Sequence, residues 1–384
     1  MDFRRFLHYA KRTLADPNPA RKLDFIQSMP SRLEIARRHK EDGGLVAGVL
    51  PIHYPRSLLR AFNIHPIEVW GPPNIDPTSG AARLQPYVCS LVRNALSFLE
   101  TGGMDVVDLI LVPHACDSLQ GLGSVMLDFV RPQQPVFPFY LPRGNPDHAV
   151  NYLTEEIQSL YRSFEKLVRY APTNDDLLNA IREEEAADIL LARLHCIRSS
   201  LPWTDYDFYQ IMRSREYLPL ADFMKLAQSI SDSLDDTPRE GIPIVLSGIV
   251  PEPMEILNLI SMNGGYVAAD DFASCGRRLY PRGESNDPFR RMAQRLLGAA
   301  PDWNKGSSIK DRLDYLWNMV EDSAARGVIF YVINFCEPEL FDLPELRNGL
   351  QDRGIPSVMV EMDLNDALTN QVGMRIETFL EMIS

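Results

Sequence analysis

Residues Met104–Gln120 read MDVVDLILVPHACDSLQ. Inside them Val106–Val112 is a short run rich in Val, Ile and Leu, bounded by Gly102-Gly103 before it and Pro113 after it. A run of that length and composition between turn formers predicts a strand buried on both faces. Ligands of open parallel sheets sit beyond the carboxyl ends of the strands. His114, Cys116 and Asp117 stand in that position. Far downstream, Val328–Asn334 (VIFYVIN) repeats the arrangement, with Phe335-Cys336-Glu337-Pro338 behind it. Two of the five cysteines therefore follow a predicted strand directly, which is the main chemical signal in the chain.

Working outward, Leu45–Leu50 and Ile67–Trp70 are further strand candidates, with a short helix over Pro55–Phe62 between them. The loop Gly71–Gly80 (GPPNIDPTSG) is dense in turn formers, and loops of that length in compact domains are commonly functional. Pro86–Leu99 reads as a helix with Pro86 and Cys89 in its first turn. A helix amino terminus stabilises negative charge and so favours a thiolate there. A helix over Leu119–Phe129 and a strand at Pro135–Phe139 complete an alternation that predicts an α/β domain with a parallel sheet over residues 45–147.

Residues 148–240 are helical in pattern, as the spacing of Leu153, Ile157 and Tyr161 and of Ile181, Ala187, Leu190, Leu191 and Leu194 shows. This region is expected to connect the first domain to a second α/β domain over residues 241–384. There Ile242–Ile249, Tyr266–Ala269, Val328–Asn334 and Ser357–Glu361 are the strands. Helices are expected at Pro253–Met262, Asp287–Leu297, Ile309–Arg326, Pro344–Asp352 and Leu368–Met382. Residues 1–44 are expected to form an N-terminal helical segment, with an amphipathic helix over 3–15 and a second helical stretch over roughly Arg21–Lys40.

The 384 residues exceed one ordinary core, in keeping with two domains. A formal net charge of −13 argues against a nucleic-acid partner, which calls for a basic footprint. No apolar run approaches the roughly 18–20 residues of a membrane span. The opening MDFRRFLHYAKRTLAD lacks the apolar stretch of a signal peptide, so the expected location is cytoplasmic. Five irregularly spaced cysteines do not form a disulfide framework.

Cys116, Cys336 and Cys89 are three candidate thiolates from different elements. Three sulfurs can hold an iron–sulfur cluster with one iron left without a cysteine, or a zinc ion with an open position. Buried free thiols are the alternative. Cys196, within LLARLHCIRSS, is expected to pack in a helical core, while Cys275 follows a strand and can reach the same crevice. His114 and Asp117 flank Cys116 and can donate a proton or orient a sulfur, and Asp117 can equally cap a helix. Arg277-Arg278 and Arg282 form a basic group that can meet phosphates or lie solvated. No GxGxxG or P-loop pattern is present, which disfavours ATP binding by this chain.

The blocks PYVCSLVRNAL (86–96), VPHACDSLQGL (112–122), NGGYVAADDFASCGRRLY (263–280) and NFCEPELFDLPELRNGLQDRGIPSVMVEMD (334–363) resemble the benzoyl-CoA reductase and 2-hydroxyacyl-CoA dehydratase family. Their order and separation match from about Leu45 to the end of the chain. The resemblance implies two Rossmann-like parallel-sheet domains joined by helices, with a [4Fe-4S] cluster held between them by Cys89, Cys116 and Cys336. It implies a homologous second subunit and a separate ATP-hydrolysing iron–sulfur activator that supplies low-potential electrons. The implied substrate is an acyl-CoA thioester, and His114 becomes the candidate proton donor.

The wording HACDSLQ is similar to the reductase branch, which reduces the aromatic ring of an aroyl-CoA. A radical 2-hydroxyacyl-CoA dehydratase subunit and a non-catalytic cluster-bearing partner are the alternatives. Ser57 stands where the family usually has an acid and Asn63 where it has Gly, which removes any role carried by that acid.

Overall fold

The computed structural model describes residues 29–143, 146–232 and 239–384. The helix expected over 3–15 lies outside them. Of the helix expected over Arg21–Lys40, the described part begins later, at Arg32–Glu41. Ser31 caps it reciprocally with Glu34, satisfying backbone donors that the helix leaves orphaned.

Among the described residues eight strands form two all-parallel sheets, so the α/β class expected from the alternation is what the chain adopts. β1 (Leu45–Val49), β2 (Ile64–Glu68), β3 (Leu109–His114) and β4 (Val136–Tyr140) lie in the order β2-β1-β3-β4. β5 (Ile242–Gly248), β6 (Gly265–Asp270), β7 (Val328–Ile333) and β8 (Ser357–Met362) lie in the order β6-β5-β7-β8. The two orders are the same. In each sheet the first strand lies between the second and the third, so the chain reverses its direction of travel there. That reversal is the topological switch point, where such sheets open a crevice beyond the strand ends. Helices Pro146–Val168, Asn174–Ile197, Asp205–Ser214 and Leu220–Ser231 occupy the sequence between the sheets.

The strand at the centre of the first sheet does not stop at Pro113. β3 continues to His114, with Pro113 opposite Phe139 on β4. β1 pairs with β3 only as far as Leu111, so Pro113 lies past the last partner on that side and its missing N–H breaks no ladder there. Three helices also begin elsewhere than the periodicity places them. Ser90–Glu100 leaves Cys89 outside as its N-cap, Asp117–Val125 starts directly after Cys116, and Glu337–Asp352 starts directly after Cys336 rather than at Pro344. Pro338 and Pro344 disguised the last of these, although a proline in the first turn costs a helix no hydrogen bond.

Buried ion pairs tie the two sheets and the connecting helices together. Glu68, at the end of β2, accepts from the Tyr54 hydroxyl and the Trp70 indole, each at 2.9 Å. It also pairs with the Arg56 and Arg278 guanidiniums, and Arg278 comes from the second half. Glu184 on helix Asn174–Ile197 pairs with Arg215 and Arg60. Burial disfavours both charges, but Arg278 and Arg56 hold Glu68 down to about 2, and Arg215 and Arg60 do the same for Glu184. A depressed carboxylate contributes stability above its ordinary value of 4.5 and loses it as the pH falls toward 2. Urea midpoints are therefore expected to drop steeply over that window, and Glu68→Gln to flatten the drop.

Asn63 occupies a left-handed conformation, φ +56°, after helix Arg56–Ala61. Asn is the non-glycine residue best suited to that region, so the departure from Gly leaves the backbone path intact.

Among the described residues no helix is long and apolar enough to cross a membrane.

Candidate functional site

Cys89, Cys116 and Cys336 line one cavity of about 60 Å³. The loops that form it follow from the topology. Leu50-Pro51-Ile52 leave β1 and Ala115-Cys116 leave β3, the two strands that flank the first switch point. Ile249 leaves β5 and Cys336 follows β7, at the equivalent place in the second sheet. Both crevices thus open into the same space.

Each cysteine is the N-cap residue of a helix. Three helix amino termini, each with unpaired N–H groups and a positive dipole end, therefore present a sulfur to one cavity. The Leu119 N–H reaches Cys116 Sγ at 3.5 Å. Cys89 and Cys336 make no such cap bond, and the Val92 and Leu91 N–H groups near Cys89 and that of Glu339 near Cys336 only offset part of the burial of those thiols.

Burial nonetheless pushes all three thiols up. Cys116 rises to about 12, through burial and then the neighbouring Cys89. Cys336 rises well above the ordinary range through burial, with Cys89, Glu339 and Cys116 adding to it. Alone, the cavity holds three thiols that burial keeps protonated, and ionising one of them would oppose ionisation of Cys116 or Cys336 beside it. A group that brings positive charge to the sulfurs displaces those protons and relieves the repulsion.

The donor set suits an iron–sulfur group: three soft sulfurs in a lining otherwise apolar but for Trp70 and Asn304. Among the described residues no group of three or more His, Cys, Asp or Glu side chains is placed to hold a single metal ion. A cluster spreads its ligands over different irons and does not ask for that convergence.

The remaining candidates fall elsewhere. His114 is half-buried against Tyr140, ring centroids 4.4 Å apart, and packs over Gly123. It does not line the cysteine cavity, so this placement does not support the proton-donor role expected of it. Asp117 is exposed in the first turn of its helix, 3.9 Å from Arg143. Cys275 is buried outside the cavity lining, with its thiol pushed up by burial and Asp270. Cys196 is exposed, against the expected core packing, because its position on helix Asn174–Ile197 faces away from buried Leu191 and Leu194.

Arg277 and Arg278 are neither solvated nor free for phosphate. Both are buried, Arg278 against Glu68 and Arg277 against Glu339 (2.6 and 3.1 Å) and Asp302 (3.3 Å). The turn at Gly276 explains this: a Cβ there would lie 1.9 Å from the Asp270 carbonyl oxygen, so only glycine lets the chain fold back and carry Arg277 inward. Arg282 is exposed. Ser57 is buried beside Glu184 and Asp188, away from the cysteines.

Two features were missed at the sequence level. Asn304 lines the cavity from the short turn Trp303–Lys305, which carries no motif beyond Gly306 closing it in a left-handed conformation. The clamp of Arg277 on Glu339 pairs residues 62 apart in sequence, one turn below Cys336.

The exposures lead to a simple check. In reduced, metal-free native protein a thiol reagent should modify one cysteine per chain rapidly, and Cys196→Ser should abolish that fast phase. Cys116, half-buried with its thiol pushed up, should react slowly, and the buried Cys89, Cys275 and Cys336 only on denaturation.

Residues 51–383 match the family model described as 2-hydroxyglutaryl-CoA dehydratase, D-component. The chain belongs to this family. Within the D-component family it is 24% identical over 375 residues to the (R)-phenyllactyl-CoA dehydratase beta subunit of Clostridium sporogenes, covering 94% of this chain and 98% of that one. It is 25% identical over 352 residues to a benzoyl-CoA reductase subunit of Thauera aromatica, covering 88% and 90%. The (R)-2-hydroxyglutaryl-CoA dehydratase beta subunit of Acidaminococcus fermentans is 24% identical over 367 residues, covering 90% and 94%. About one-quarter identity thus joins this D-component chain both to dehydratase subunits and to a reductase subunit.

Proposed function

We propose that this chain is the iron–sulfur subunit of an enzyme that places single low-potential electrons on a coenzyme A thioester. The electrons come from a separate ATP-hydrolysing activator, and the enzyme is made whole by a homologous second subunit. The observation that carries the reading is the meeting of Cys89, Cys116 and Cys336, each heading a helix, in one apolar cavity at both switch points.

A [4Fe-4S] cluster bound there supplies one-electron chemistry. The chain's own residues do the rest. The three Sγ atoms give up their protons on ligation, and the helix N–H groups then stabilise the charge they carry. Leu50, Ile52, Val92 and Leu119 keep water from the sulfurs, so that charge arriving on a substrate carbonyl meets fixed dipoles rather than solvent. Val69, Trp70 and Gly71 also line a second cleft of about 800 Å³, along with Phe98, Met104, Arg32 and Arg37. Arg32 is tied to Glu216 at 2.6 Å, and Glu68, Asp105 and Glu252 share the lining, so what the cleft offers a long thioester is its size and its apolar wall.

The block HACDSLQ supports the reductase form, in which two electrons and two protons end on the ring of an aroyl-CoA. The D-component description and the beta-subunit relatives favour a second form, elimination of water from a 2-hydroxyacyl-CoA, in which the electron is recovered each turnover. The test is anaerobic purification with the co-purifying subunit, iron and sulfide analysis, and assay with activator and ATP. Product from benzoyl-CoA in proportion to reductant consumed marks the reductase. Product from a 2-hydroxyacyl-CoA under catalytic reductant marks the dehydratase. A complex that holds no iron–sulfur group overturns the proposal.

A further inference from the structure

The cysteine cavity contains one polar side chain whose hydrogen-bonding capacity the fold leaves unused. Asn304 is buried to 6% exposure, and its Oδ1 has no hydrogen-bond partner. A buried polar atom without a partner is costly, so a group that would fill the cavity is the natural partner for this one. Trp70, the other non-sulfur polar group of the lining, is already committed through its indole N–H to Glu68 at 2.9 Å.

Asn304 is also held firmly. Asp302 caps its turn, accepting from the Asn304 backbone N–H at 2.8 Å, and Asp302 is in turn gripped by Arg277 at 3.3 Å. The same guanidinium makes the paired contact to Glu339, three residues beyond Cys336. Lys305 fastens the other side of the turn to the Leu297 carbonyl at 3.2 Å. One buried arginine therefore sets both a cysteine's helix and the amide that shares its cavity. That is how an outer-sphere hydrogen bond is built to be rigid.

We propose that the Asn304 carboxamide is the side-chain hydrogen-bond donor to the cluster held by Cys89, Cys116 and Cys336, and that it tunes the cluster's reduction potential. The inference rests on the function proposed above. A half-turn about the terminal bond of the side chain exchanges Oδ1 and Nδ2, so the NH₂ group can occupy the unpartnered position. A donor aimed at sulfur stabilises the extra negative charge of the reduced state more than the oxidised state, and raises the potential. No other side chain in the lining, among the described residues, is free to do this.

The experiment uses the full chain, reconstituted anaerobically with iron and sulfide, as wild type, Asn304→Ala and Asn304→Asp. Iron content, the EPR spectrum of the reduced form and the midpoint potential are read for each. Wild-type iron content with a midpoint moved to more negative values is expected for Asn304→Ala. A larger move in the same direction is expected for Asn304→Asp, which keeps the shape and exchanges the donor for an oxygen. A purely structural role would move the melting temperature and leave the potential alone. Unchanged potentials and spectra in iron-loaded variants overturn the inference while leaving the proposed function standing. If Asn304→Ala fails to take up iron, Asn304→Asp carries the same comparison. Wild-type protein that forms no cluster overturns the proposed function, and this inference with it.

Discussion

Anaerobically reconstituted protein carrying Cys116→Ala is expected to retain little iron and sulfide and no visible iron–sulfur absorbance. Cys89→Ala and Cys336→Ala are expected to behave alike. Cys275→Ala and Cys196→Ala should load as the wild type does. The contrast follows from geometry: the first three line one cavity, whereas Cys275 is buried elsewhere and Cys196 is exposed. Removing a supporting group beyond the ligands costs metal sites about 10–100-fold in affinity, so losing a sulfur itself should cost at least that. Burial raises the thiols, helped at Cys116 and Cys336 by the neighbouring sulfurs, and it makes the dependence cooperative, since each sulfur ionises only with the charge of the bound group to compensate it. Iron and acid-labile sulfide per chain, measured for the five single variants, check this. Equal loading across all five would remove the basis of the proposed function.

Arg277→Ala is expected to destabilise the protein by about 3–5 kcal/mol, the usual cost of breaking a buried ion pair from one side. Arg277 is fully buried and faces Glu339, Asp302 and Asp271, the last at 3.5 Å. Its loss leaves carboxylates without their nearest cation. Arg312, 3.2 Å from Glu339 and 2.7 Å from Asp342, compensates only part of the set. Urea unfolding at neutral pH measures the loss, and lowering the pH should recover some of it as the stranded carboxyls take up protons. Because Glu339 sits in the first turn of the helix headed by Cys336, the same variant should lower iron uptake. An effect below about 1 kcal/mol, the scale of a surface ion pair, would mean that the cluster of charges is far better screened than its burial indicates.

Much of the architecture was legible in the residue pattern. Val, Ile and Leu runs between turn formers marked the strands to within a few residues, because a strand buried on both faces admits few other residue types. Helix starts were less legible, and they matter most here. Cysteine is not a customary N-cap, and the prolines at 338 and 344 pushed the expected start of the last cysteine's helix seven residues too late. Arg277 and Arg278 read as a surface or phosphate-binding pair because the carboxylates that bury them lie on β2, on the turn at Asp302 and on the helix after Cys336. Only Asp271, six residues before Arg277, shares a local window with it.

Local composition, then, determined that this chain alternates strands and helices into parallel sheets and places cysteines just past two strand ends. The family-bearing blocks could be seen in the same way, since they are contiguous. Only the tertiary structure decided that three helix amino termini and both switch points face one another. It alone brought Asn304 to the cysteines, buried the arginines and turned His114 toward Tyr140. The reason is that strand and helix formation answer to neighbours a few residues away. The cavity is made by packing two halves whose contacting residues lie some two hundred positions apart, as Glu68 and Arg278 do.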